Sequence, residues 1–153
     1  MNKVTAIVAL AVVVGVFSSP TSAQDAANSD MQLPEACQQA SGAQAGMAGM
    51  DHNAMMESMQ KSMSGNIGES TKGYMQAMMS MHQPMMQGAM AADPDVAFNC
   101  SMIAHHKGAI AMSKVQLQFG KDEESKKMAQ KTIDNQTKEV EEMTKWVTEH
   151  AKK

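Results

Sequence analysis

The chain is predicted to fold as an all-α antiparallel bundle of four helices. Three observations point there. Apolar positions recur at steps of three and four through the C-terminal half. Helix-starting and helix-stopping residues punctuate that half at the spacing of long helices, and no stretch alternates apolar and polar residues as a strand would.

At the N-terminus, Lys3 is followed by the apolar run Val4–Phe17 and then by Ser18-Ser19-Pro20-Thr21-Ser22-Ala23. This order reads as a secretory signal, residues 1–23, cleaved after Ala23. The alternative, a retained membrane anchor, is disfavoured because the run falls short of the ~20 residues that span a bilayer. No later segment is apolar enough to span, so the mature chain is expected in the periplasm or otherwise outside the cytoplasm. About 130 residues remain, enough for one domain with one core.

Residues 24–49 are rich in Ala, Gln, Ser and Gly and are expected to form a flexible leader, apart from whatever Cys37 ties down. Residues 50–153 are expected to form the bundle domain, with a Met-rich first segment. Met47–Met63 carries Met47, Met50, His52, Met55, Met56, Met59 and Met63, as a first helix or as a ligand-bearing segment.

A helix is predicted from about Ser70 to Gln87, with Ile67, Tyr74, Met78, His82 and Met85 at steps of seven, four, four and three. Pro84 removes one of its internal hydrogen bonds and should kink its last turns. Asp93-Pro94-Asp95 is a strong start for the next helix, since Asp caps free amides and Pro suits the first helical position. That helix should run to Phe119, where Gly120 supplies a stop. Asp122-Glu123-Glu124 then places negative charge in the first turn of the last helix, as the dipole prefers. In that helix Ala129, Ile133, Gln136, Val140, Met143 and Val147 form an inward stripe, and Lys127, Lys131, Lys138 and Lys145 lie opposite. The short turn between these two long helices makes them antiparallel.

Composition narrows the function. The formal net charge is -3 and arginine is absent, so there is no basic face or guanidinium fork for a phosphate backbone. Nucleic acid is excluded as an expected partner. The anomaly is methionine, with 19 residues against five aromatics. After Ala23 the only leucines are Leu33 and Leu117. An ordinary helical core favours leucine and isoleucine, because methionine is flexible and specifies packing poorly. The two cysteines, Cys37 and Cys100, read as a disulfide in an exported chain, with thiolate ligation of copper as the sharper alternative.

On a helical wheel, Phe98, Met102, Ile103, Ala109, Ile110, Met112 and Leu117 share one broad apolar arc, and His105 and His106 fall within it. A single histidine on such a face is more often a satisfied core residue than a ligand. Here, however, Met102 lies three and four residues before the pair, so a thioether and an imidazole converge within a turn. Thioether sulfur is soft, needs no deprotonation and suits Cu(I), while imidazole accepts Cu(I) and Cu(II). A di-iron site would want Glu-x-x-His pairs, and this helix has no glutamate. Structural zinc would want four closely spaced Cys and His ligands. His82, which sits among Met78, Met79, Met81, Met85 and Met86, is a further candidate ligand with Met78, Met85 and Met86, as are Met47, Met50 and His52; for the His82 helix, an adaptable apolar surface is an equal alternative.

The run Asp93-Pro94-Asp95-Val96-Ala97-Phe98, followed by Met102-Ile103-Ala104-His105-His106-Lys107-Gly108-Ala109-Ile110-Ala111-Met112, resembles the bacterial domain-of-unknown-function 305 family, which includes CopM-like extracytoplasmic copper-binding proteins. The resemblance extends from about Tyr74 to His150, through Leu117, Gly120-Lys121-Asp122, Ile133, Gln136, Glu139, Met143 and Trp146. It implies a ferritin-like bundle and makes Met102, His105, His106, Met112 and Met143 the residues of most interest. Ala104 stands where many members have proline, which bears on local helix shape more than on ligand supply.

The function expected is therefore non-enzymatic. Met and His side chains would hold Cu(I) or Cu(II) to sequester it or pass it to an efflux or oxidase component. The alternative is a metal-independent, Met-rich helical interaction module. A copper oxidase, which needs several coppers and many histidines, is disfavoured by a total of five histidines.

Overall fold

The computed structural model describes residues 30–41, 54, 57, 58, 61, 65 and 67–151. Among these the chain is all-α, with four helices: α1 Glu35–Ala40, α2 Glu69–Ala89, α3 Pro94–Phe119 and α4 Glu123–His150. The signal segment and the ligand candidates Met47, Met50 and His52 lie outside the described residues.

The helix boundaries follow from the caps. The Asp93 carboxylate accepts hydrogen bonds from the Asp95 and Val96 amides at 2.9 and 3.1 Å, with Pro94 in the first turn. Asp122 accepts from the Ser125 amide at 2.7 Å, and Glu123 and Glu124 follow it. Each cap satisfies amides that the helix cannot, and each acidic first turn meets the positive end of the dipole. Gly120 ends α3 with an extended backbone, φ -64° and ψ 147°. A Cβ there would come within 2.5 Å of the Gln116 carbonyl oxygen, so close approach, not a left-handed conformation, calls for glycine. α2 continues through Pro84 as one helix.

α3 is the central helix, packed against α2 on one side and α4 on the other. The seam with α2 is made of small residues: Gly73 sits against Val115, Gly108 against Met81, and Gly88 against the Cys100–Ser101 backbone. These pairs run in opposite directions along the two helices, so the pair is antiparallel. Tyr74 Oη donates to Gln116 Oε1 at 2.8 Å in the same register. Across the other seam, Gln116 Nε2 donates to Ser125 Oγ at 2.8 Å, and His106 meets Glu139.

The core gathers at the end where α3 begins. Leu33, Ala36, Cys37, Ala91, Val96, Cys100, Ile103, Ala104 and Val147 are buried together, with Met85, Val140, Met143 and Trp146 packed against them. Part of the expected leader belongs to this core, because Met31, Leu33, Ala36 and Cys37 are all buried. A disulfide joins Cys37 to Cys100, with Cα atoms 5.6 Å apart, and Lys107 Nζ donates to the Gln32 carbonyl at 2.7 Å. Residues 30–41 are the part of the expected leader that Cys37 ties down: their few apolar side chains are concentrated where the bridge holds them against α3. Beyond this strap the same side of the bundle is a groove of about 610 Å³, lined by small side chains such as Gly73, Ala77 and Ala111. Among the described residues, no helix is long and apolar enough to cross a membrane.

Candidate metal-binding surfaces

α2 has two chemically different faces. Gly73, Ala77, Met81 and Gly88 share the side toward α3, and Ala77 and Gly88 are the buried residues of the helix. At about 100° per residue, Met75, Met78, Met79, His82 and Met86 fall within an arc of about 100° on the other side. Met78 is 39% exposed, His82 is exposed, and Met75, Met79 and Met86 are half-buried. His82 stands three residues after Met79, four after Met78 and four before Met86. Neighbours at these steps have Cβ atoms about 5–6 Å apart, so imidazole and thioethers share one patch.

This arrangement redistributes the residues singled out in the sequence. Met78, His82 and Met86 lie together on the outer face, whereas Met85 packs against the core cluster. The stripe Tyr74, Met78, His82, Met85 is not the buried one. Residues with little or no side chain make the α3 contact, and an apolarity pattern weighted toward large side chains overlooks them. Met75 is the member of this face that the sequence reading does not single out, although it lies seven residues before His82, two helical turns away on the same side.

On α3 the two histidines part company. His105 is exposed, and Phe98 is 62% exposed, while His106 is 7% exposed. The expectation that both imidazoles and Phe98 share a core-facing arc is corrected. α3 is central, so its buried positions Cys100, Ile103, Ala104, His106, Gly108 and Ser113 run round much of its circumference, and a one-sided arc misplaces the remainder. Met102 and Met112 are half-buried.

His106 Nε2 and Glu139 Oε2 are 2.5 Å apart, across the α3–α4 seam. His106 Nδ1 is buried without a hydrogen-bond partner, as is Gln136 Oε1 one turn before Glu139. Met143, four residues after Glu139 on α4, packs against the core cluster together with Met85. Further along α4, the Trp146 and His150 rings stack with centroids 4.4 Å apart, and His150 Nδ1 lies 2.8 Å from the Trp146 carbonyl oxygen. Among the described residues, no group of three or more His, Cys, Asp or Glu side chains is placed to hold a metal ion.

A family model described as "Domain of unknown function (DUF305)" matches residues 17–147. The chain belongs to the DUF305 family. No curated protein matches it. The DUF305 match takes in both surfaces just described, the Met/His face of α2 and the His106–Glu139 contact between α3 and α4.

Proposed function

We propose that this DUF305 chain is an extracytoplasmic copper-binding protein, which sequesters copper or hands it on through methionine and histidine side chains. One observation carries the proposal: the outer face of α2 assembles four thioethers around one imidazole, while small residues do the packing on the opposite face. Structural demand for large apolar groups does not account for that face, because its methionines are half-buried or exposed. Thioethers suit Cu(I), and because they carry no charge their hold is weak enough to permit transfer. The apolar run Val4–Phe17 is the basis for placing the protein outside the cytoplasm.

The test is anaerobic titration of the protein with Cu(I) against a chromogenic chelator, comparing wild type with a variant carrying Met75→Leu, Met78→Leu, Met79→Leu and Met86→Leu. Leucine keeps apolar volume and helix propensity while removing sulfur. The expected result is an unchanged helical circular-dichroism spectrum with Cu(I) affinity at least about tenfold weaker, equivalent to 1.4 kcal/mol. A wild-type protein unable to compete for Cu(I) would overturn the proposal.

A metal-independent interaction module is the second reading, favoured by the exposure of Phe98 at 62%, Met90 at 52% and Met128 at 64%. It predicts that the four leucine substitutions leave the activity of the protein in its host unchanged.

A further inference from the structure

We propose that His106, and not its neighbour His105, is the α3 imidazole that takes copper, that it does so through Nδ1, and that Glu139 is the positioning residue that makes Nδ1 the available atom. This rests on the copper-binding reading and adds to it a second, interior site with a defined ligand atom.

Glu139 Oε2 lies 2.5 Å from His106 Nε2, and an ionised carboxylate only accepts, so the proton of that contact sits on Nε2. In the neutral ring the lone pair is then on Nδ1, the tautomer being set by the bond that the other nitrogen makes. Nδ1 is buried and has no donor facing it, although His106 is 7% exposed. An unpartnered buried acceptor carries a desolvation cost that ligation would offset. A ligating histidine ordinarily donates its second ring N–H to a carboxylate, which fixes the ring and raises its basicity. Here that half of the arrangement is already built across two helices.

Two thioether residues lie one turn from this contact in sequence, which makes soft or borderline copper the metal to test. Met102 lies one turn before His106, on the side toward which helical side chains lean. Met143 lies one turn beyond Glu139 on α4 and packs against the core cluster containing Ile103 and Ala104. Gln136 Oε1, one turn before Glu139, is a second buried donor atom without a partner. His105, by contrast, is exposed and shares only an edge-on ring contact with His106, with centroids 5.8 Å apart.

Long-range ¹H–¹⁵N correlation spectra of the histidine rings, recorded on the metal-free full-length protein and then with Cu(I), test each step. The metal-free spectrum should show His106 with its proton on Nε2 and an unprotonated Nδ1. Cu(I) should shift the Nδ1 resonance of His106 and leave that of His105 in place. Glu139→Ala should mix the two tautomers of His106 and weaken Cu(I) binding at this site roughly 10- to 100-fold, whereas Glu139→Gln, which retains an acceptor oxygen, should restore the Nε2–H tautomer. Circular dichroism of each variant establishes that the bundle is intact.

A His106 proton found on Nδ1, or a Cu(I)-loaded protein in which His106 Nδ1 does not move, would overturn this inference while leaving copper binding on α2 standing. No Cu(I) binding anywhere in the wild type would overturn both.

Discussion

The amide of Gln136 shows what one unpaired atom costs inside a helical seam. Its Oε1 is buried with no donor opposite it, a condition worth about 1–3 kcal/mol. Gln136→Leu, similar in volume, is expected to raise stability in urea denaturation by about 1 kcal/mol, a gain that equal midpoints for variant and wild type would refute. Lys107 is a second case of polarity held at a cost. Burial keeps its ammonium below the ordinary lysine value of 10.5, with Asp30 pulling in the opposite direction. Between the lowered value and 10.5 the unfolded chain binds more protons than the folded one, so stability contributed here rises with pH through that window. Lys107→Met should therefore flatten the rise in stability as pH approaches 10.5 from below, read as urea midpoints at matched ionic strength. At this scale the residue types at the site were legible in the sequence, but their orientation was not. His105 and His106 are adjacent in sequence and about 100° apart on a wheel, and only the positions of α1, α2 and α4 around α3 decide that one is exposed while the other meets Glu139.

At the scale of helices, caps and packing faces were legible to different degrees. Asp93-Pro94 and Asp122-Glu123 act locally, through hydrogen bonds to amides two or three residues away, so the starts of α3 and α4 could be read directly. The face that α2 presents to α3 could not, because closeness there comes from absent side chains. Gly88 makes the point quantitatively. Glycine to alanine inside a helix ordinarily gains about 1 kcal/mol from propensity. Here the new Cβ would lie 2.6 Å from the Cys100 carbonyl carbon and the Ser101 nitrogen, backbone atoms that cannot rotate away. The sign should reverse, and Gly88→Ala is expected to destabilise by about 1–3 kcal/mol as overpacking. A variant more stable than wild type in urea would show that α2 and α3 have room to separate.

For the molecule as a whole, α1 and the residues before it complete one end of the bundle, and a single covalent bridge secures them. Their polar composition suggested a leader, and so it was the burial of Leu33 and Met31, not the presence of Cys37, that was hard to foresee. Four apolar groups in twelve residues bury little area unless the chain is already held in place. Closing a loop between cysteines 63 residues apart is worth roughly 2–4 kcal/mol. Replacing both cysteines with serine should lower the melting temperature by on the order of 10 °C, at roughly 4–8 °C per kcal/mol for a domain of this size. An unchanged melting temperature would mean that packing alone holds the strap. The same bridge also determines what survives a cut. Both Met47–Met63 and α2 lie between its ends in sequence, so a single protease nick anywhere from residue 38 to residue 99 opens a ring instead of dividing the chain. The fragments would migrate as one species until a reductant is added, and the methionines of both segments would remain attached to the histidine-bearing helix even after the backbone between them had been severed.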